Sequence, residues 1–349
     1  MYKDDTSPPE ATFVLDRPTV VRPIDPDAPD PEVLRAAAEV IRAGGLVAFP
    51  TETVYGLGAD ALDTDAVARI FVAKGRPPAN PLIVHVDGES MLRAVAATWP
   101  PAAARLAERF WPGPLTLVVP RTAAVPEVVT GGGPTVAVRM PAHPVALGLI
   151  RSAGVPLAAP SANRSSELSP TRAEHVRAGL GGRIDLILDG GPTANGIEST
   201  VLSLAGDRPV LLRPGPISVS ELESVVGPVR RRPTEHPGAP LPSPGMLKRH
   251  YAPRTPMELH ADRSGLAMRA DELDRGGQRV GCLVIGRAAG LPGAVIEMPG
   301  DPAGYAARLY EVLHELDGRG MSRILVELPP DTQGWLAIRD RLTRAAASP

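Results

Sequence analysis

Between Gly227 and Thr255 the chain reads "GPVRRRPTEHPGAPLPSPGMLKRHYAPRT", with prolines at 228, 233, 237, 240, 242, 244 and 253. Each proline fixes φ and removes a backbone donor, so a stretch this dense excludes regular structure and reads as a semi-rigid linker. Whatever sheets the chain builds must therefore lie on either side of it.

Upstream, apolar runs alternate with helical text. A helix over "PEVLRAAAEVIRAG" is followed by a strand at "GLVAFP", a helix over "TDAVARIFVAK" and the strand "NPLIVHV". Further strands read at "PLTLVVP", "TVAVRMP", "VPLAAP", "IDLILDGG", "STVLSLAG" and "RPVLLRPG". Downstream a second alternation begins, with strands at "PMELH", "RVGCLVIG", "AVIEMP" and "RILVELP" around a helix over "DPAGYAARLYEVLHELDGRG" and a closing helix over "WLAIRDRLTRAA". Alternation of this kind predicts an α/β chain: a large sheet first, then a smaller Rossmann-like parallel-sheet domain. The expected divisions are a flexible N-terminal segment 1–30 with an edge strand at "TVVRPI", a catalytic domain 31–226, a linker and lid 227–254, and a C-terminal domain 255–349. A length of 349 residues with 43% hydrophobic content suits two such cores.

Charge narrows the partners. Lys and Arg total 37 against 39 Asp and Glu, so the net charge of −2 gives no general attraction to nucleic acid or an acidic membrane, and any anion site must be local. The single cysteine, Cys282, excludes an internal disulfide and a thiolate zinc cluster and reads as a small buried hydrophobe. With neither a signal peptide nor an apolar run of membrane length, the expectation is a soluble, cytoplasmic protein.

Polar motifs cluster at the ends of the upstream strands. "FPTETVYGLG", residues 49–58, has the glycines of a phosphate loop without its Gly-Lys-Ser/Thr ending, so it is not a Walker A sequence. Lys74-Gly75-Arg76 flanks a glycine with two cations ahead of Asn80 and His85; the pair suits a triphosphate, and equally suits the C-terminus of a helix. Ser161, Asn163 and Ser169 follow the strand "VPLAAP" at the sheet edge where α/β folds bind ligands, although Ser169 with Pro170 also reads as the cap of the helix "TRAEHVRAGL". Thr135 and Arg139 share the strand "PTVAVRMP", where a guanidinium among apolar neighbours requires a carboxylate or phosphate, structural or substrate. Glu198-Ser199-Thr200 and Arg213-Pro214-Gly215 complete this group. "SPGMLKRHYAP", residues 243–253, is either a solvated basic patch or a strap over a charged ligand. No Gly-x-Ser-x-Gly, His-Glu-x-x-His or Cys-x-x-Cys is present, which disfavours covalent and zinc chemistry.

In order and spacing, "FPTETVYGLG", "KGRP" with "NPLIVHV", "PSAN", "SPT", "GIESTV", "LLRPG" and "SPGMLKRHYAP" resemble the YrdC-domain threonylcarbamoyl-AMP synthases in their long two-domain form. The resemblance covers the chain from about residue 31 to its end. It implies a YrdC-like domain with a large twisted sheet around a basic cavity. The activity it implies is synthesis of L-threonylcarbamoyl-AMP from L-threonine, bicarbonate and ATP with release of pyrophosphate, the first step of N6-threonylcarbamoyladenosine formation in tRNAs that read codons beginning with A. A separate transferase complex would receive the product, so that no direct stable tRNA binding by this chain is required. Thr53, His85, Arg139, Ala159 and Ser199 resemble the threonine contacts. Lys74, Arg76, Asn80, Thr135, Ser161, Asn163, Ser169, Arg213 and Tyr251 resemble the ATP side, with Lys74 and Arg76 catalytic and Mg²⁺ assisting on ligands the sequence does not identify. Ser166 stands where the family has glycine, and Leu247-Lys248 where it has a basic residue followed by an aromatic, so an altered backbone is expected at 166 and altered lid packing at 247. A double-stranded RNA or nucleotide binding module without catalysis is the alternative; a near-neutral net charge of −2 and 3% aromatics weigh against it. Hydrogenase-maturation carbamoyltransferases share the domain but need a cysteine zinc finger that one cysteine cannot supply.

Overall fold

The computed structural model describes residues 18–231 and 249–347. Residues 243–248 of the expected strap, with Leu247-Lys248, lie outside the described residues.

Upstream of the linker the strands join one eleven-stranded mixed sheet. Its order is Val20–Pro23, Leu186–Asp189, Val47–Phe49, Gly56–Asp60, Leu157–Ala158, Ile83–His85, Thr135–Arg139, Leu115–Pro120, Thr200–Ser203, Val210–Arg213 and Arg230–Arg231. The strand of the expected loose N-terminal segment thus belongs to the sheet, at its edge and parallel to Leu186–Asp189. Gly56–Asp60 is a strand that the apolar pattern does not announce; it returns antiparallel to Val47–Phe49, so "FPTETVYGLG" is a strand, a polar turn and a second strand. Arg230–Arg231 pairs in parallel with Val210–Leu211 inside the proline-rich stretch, at the other sheet edge, where a strand needs only one row of backbone partners.

Alternation along Val47–Phe49 sends neighbouring side chains to opposite faces. Val47 and Phe49 pack with Leu34, Ala37 and Ile41 of helix Pro31–Arg42 and with Val145 and Leu149 of helix Pro144–Ala153. Ala48 packs instead with Val67 and Ile70 of helix Thr64–Lys74. That helix is capped by Asp63, whose side chain accepts from the amides of Asp65 and Ala66, and it ends at Gly75 in the left-handed region. The sheet is covered by helices on both faces, which leaves strand ends and their loops to build a site.

The second sheet is all parallel, in the order Met257–His260, Arg323–Glu327, Val280–Ile285, Ala294–Met298. Helix Arg263–Arg275 packs on one face with Val280, Cys282 and Val284. Helices Pro302–Gly318 and Leu336–Ala345 cover the other, burying Leu283, Ile324 and Val326. Cys282 is fully buried with its thiol pushed up to about 11 by desolvation, as a hydrophobe's would be. The core under Pro302–Gly318 also takes in Val54, Leu168 and Ile197 from the first domain, so the two sheets share packed surface.

Candidate active site

A small cavity opens among the strand ends of the large sheet. Of the residues singled out from sequence, Thr53, Arg76, His85, Arg139, Ala159, Ser161, Ser199, Arg213 and Tyr251 line it. Lys74, Asn80, Asn163 and Ser169 are buried around it without lining it. Thr135 is not brought to the cavity: it is half-exposed at the far end of the strand that carries Arg139, on the same face of the pleat.

The geometry separates two cationic centres. At one, Arg139 donates from Nη1 to Thr53 Oγ1 at 3.0 Å and from Nε to the Gly113 carbonyl at 3.2 Å, while Nη2 lies 2.7 Å from Glu52 Oε1. The partner that a buried guanidinium requires is therefore in part structural. Thr53 is held in turn by Thr51, 2.8 Å away. His85 stands beside this centre, fully desolvated and repelled by Arg139; both effects push its pKa down to about 3, so the ring is neutral, and its Nδ1 has no hydrogen-bond partner.

At the other centre, Arg76 donates to the carbonyls of Asn80 and Pro81, and Arg213 donates to the carbonyl and Oγ of Ser199. Burial and then Arg213 push the Arg76 pKa down, against Tyr251, to about 10, still cationic at neutral pH. Thr116, fully buried, fixes Ser199 through a 2.8 Å hydroxyl contact. Lys74 spends its donors on protein: Nζ donates to Ser161 O at 2.6 Å, to Asn163 O, and to Asn163 Oδ1 at 3.5 Å. Burial and then Arg76 push its pKa well down, while these oxygens draw on the ammonium form. Lys74 thus ties down the Ser161–Asn163 loop from behind the lining. Both side-chain atoms of Asn80 are buried without partners.

Two sequence expectations are corrected. Ser169 does not cap the following helix, which starts at Ala173 behind Arg172; its hydroxyl is drawn to Glu198 Oε1 at 2.5 Å because a buried carboxylate is the stronger acceptor. Ser166 keeps a glycine-like backbone, with φ at 67°, held where its carbonyl accepts from the Ala252 amide at 2.9 Å. Tyr251, near the end of the linker, is also left-handed at φ 61° and presents its ring to the cavity with the hydroxyl unpartnered.

Sequence reasoning did not assign Glu52, Thr116, Tyr310 or Arg341 to the site, and it grouped Glu198 with the candidate motifs without giving it a role. "GIEST" carried a signal for Glu198; Arg341, in the last helix, carried none. Among the described residues no group of three or more His, Cys, Asp or Glu is arranged to hold a metal, and no helix is long and apolar enough to cross a membrane.

Such a structure defines a two-domain α/β protein whose larger domain carries a guanidinium-lined cavity at its strand ends. The family model described as "Telomere recombination" matches residues 39–215, and that of the threonylcarbamoyl-AMP synthase C-terminal domain matches residues 217–347. The threonylcarbamoyl-AMP synthase of Bacillus subtilis is 47% identical over 91% of this chain and 93% of its own; that of Pyrococcus abyssi is 45% identical over 90% and 94%. The crystal structure of P. abyssi Sua5 complexed with L-threonine superposes with a TM-score of 0.88 at 43% identity, covering 94% of this chain and 98% of that one. The chain belongs to the threonylcarbamoyl-AMP synthase family.

Proposed function

We propose that the protein makes L-threonylcarbamoyl-AMP from L-threonine, bicarbonate and ATP, releasing pyrophosphate, and so starts N6-threonylcarbamoyladenosine formation in tRNA. The observation that carries this reading is one cavity with two cationic centres, Arg139 with Thr53 and Arg76 with Arg213. The first suits an amino-acid carboxylate and the second a polyphosphate. In this reading Thr53, His85, Arg139, Ala159 and Ser199 bind threonine. Arg76, Ser161 and Arg213 face the phosphates directly, Lys74 and Asn163 support them, Asn80 and Ser169 stand behind the nucleotide side, and Tyr251 covers it, while Thr135, away from the cavity, takes no part.

The chemistry asks little of protein nucleophiles. Threonine's amine adds to bicarbonate with loss of water to give a carbamate; the carbamate oxygen attacks the α-phosphorus in line, and the bond to pyrophosphate breaks. Negative charge accumulates on phosphate oxygens, so positioning and fixed cations supply the acceleration. His85 is too weak a base at a pKa near 3 to remain an imidazolium, and serves as a neutral partner for the amine or hydroxyl of the amino acid. Magnesium fits as a companion of the nucleotide, because both oxygens of Glu198 are already engaged by protein and the phosphates and water would supply the ligands. When bound it would neutralise charge on the leaving pyrophosphate.

The product would pass to a tRNA transferase complex in the cytoplasm. Mass spectrometry of the products formed from ATP, bicarbonate and threonine, with serine in parallel, tests the proposal. A mass corresponding to threonylcarbamoyl-AMP, with threonine-dependent pyrophosphate, is expected; ATP binding without either product would leave only a nucleotide-binding module.

A further inference from the structure

Glu198 is the carboxylate that lines the cavity, and its two oxygens are engaged from both domains. Oε1 accepts from Ser169 of the first domain at 2.5 Å; Oε2 accepts from Arg341 Nε at 2.7 Å and Tyr310 Oη at 3.2 Å, both of the second. Arg341 is the largest of the fully buried side chains, 1% exposed. Its Nη1 donates to Asp340 at 2.9 Å, its Nη2 reaches the Glu198 carbonyl at 3.5 Å, and its guanidinium lies 5.1 Å from the centre of the Tyr251 ring. One cation of the C-terminal domain therefore touches two residues that line the cavity while not lining it itself.

A site for phosphates that keeps a buried carboxylate invites that carboxylate to capture the site's own cations. Against the desolvation that disfavours its charge, Glu198 is kept ionised first by Arg341, then by Arg213 and the Ser169 hydroxyl. Arg213 is thus already within the field of Glu198, and would inherit it if Arg341 were absent. We infer that Arg341 is a positioning residue by which the C-terminal domain sets the nucleotide side of the cavity: it neutralises Glu198 and backs Tyr251, leaving Arg213 and Arg76 free for phosphate oxygens. The inference rests on the ATP reading of the preceding section.

A double-variant cycle in the full chain tests it, with ATP and threonine affinities measured separately by calorimetry and KM and kcat by pyrophosphate release. Arg341→Met should weaken ATP binding by about tenfold or more while threonine binding changes by less than about twofold. Glu198→Gln removes the charge that Arg341 serves, so the Glu198→Gln/Arg341→Met protein should recover much of the lost ATP affinity. Arg341→Lys, which keeps the charge and loses the planar fork, should fall between wild type and Arg341→Met. A double variant as weak as the product of both losses, or an equal loss of threonine affinity, makes Arg341 merely structural and overturns the inference. If Arg341→Met does not fold, Arg341→Lys with and without Glu198→Gln decides the same question. A wild-type chain that binds ATP but makes no threonylcarbamoyl-AMP would sink the proposed reaction and leave this cycle decisive; one that binds no ATP sinks both.

Discussion

A buried guanidinium needs a counter-charge, and at Arg139 Glu52 meets it within the protein, to which the proposed reading adds the carboxylate of the amino acid. Thr53 links the two, because it accepts from Arg139 and is itself fixed by Thr51. Thr53→Val keeps the shape and removes that acceptor. Threonine KM should rise about five- to tenfold, the worth of one net hydrogen bond, with ATP KM unchanged; equal rises in both would remove Thr53 from the amino-acid side. Arg139, Arg76 and Arg213 were legible in the sequence because charge inside an apolar strand, or beside a strand end, is costly and so informative. Arg341 was not, since "IRDRLTRAA" reads as an ordinary amphipathic helix until folding buries one arginine of its face against the other domain. Ser166 was misjudged for a related reason: its left-handed backbone is set by its carbonyl's bond to Ala252, which tertiary contact supplies and local sequence does not.

Elements of continuous apolar text were legible, while those defined by pairing were not. Three of the five residues of Gly56–Asp60 are glycine or aspartate, and it becomes a strand because Val47–Phe49 lies antiparallel beside it. Its glycines do different work: Gly56 lines the cavity, whereas a Cβ on Gly58 would fall 2.7 Å from Cε1 of Phe49, a packing constraint beneath the site. A close approach between domains likewise depends on a glycine. Gly196, at φ 69°, lies where a Cβ would meet Ala306 O at 2.3 Å and Ala307 Cα at 2.6 Å, so the loop before Glu198 is seated on the first turns of helix Pro302–Gly318. Backbone cannot swing aside as a side chain can. Gly196→Ala should cost roughly 2–4 kcal/mol by urea unfolding, combining left-handed strain with a contact the interface must open to relieve. Gly206→Ala, with no atom within 4 Å of the added carbon, should stay within about 0.5 kcal/mol. Equal, small effects at both positions would mean that the domains do not bear on each other through this loop.

Two α/β layers were readable from alternation on either side of the prolines; how they meet was not, because the interface takes scattered apolar residues such as Val54, Leu168 and Ile197 together with polar ones, and no local pattern marks them. At the seam His175 of helix Ala173–Leu180 stacks on His314 of helix Pro302–Gly318, ring centroids 3.8 Å apart and 18° from parallel. His175 Nδ1 faces the amide and hydroxyl of Thr171, His314 Nε2 faces the Ser169 carbonyl at 3.1 Å, and the Arg172–Glu311 ion pair flanks them. Two stacked imidazolium rings would repel, so this contact disfavours charging both histidines. Burial, His314 and Arg172 push His175 down to about 3; His314 is also lowered by burial, against the Ser169 carbonyl and Asp317, with Arg254 adding a smaller push downward. An unfolded histidine titrates near 6.5, so between about pH 6.5 and 3 the unfolded chain binds more protons than the native one and stability falls as pH falls. Above pH 7 the pair is neutral in both states and contributes no slope. Unfolding midpoints measured at pH 7.5 and 5.0 should therefore drop more for wild type than for His175→Gln, which cannot titrate there. His85 and His250, neutral behind their own cations, titrate in the same direction, so the variant should remove part of the acid sensitivity. An unchanged acid loss in His175→Gln would mean that the interdomain pair is not protonated on unfolding, and that acid acts on the two domains through the cavity histidines instead.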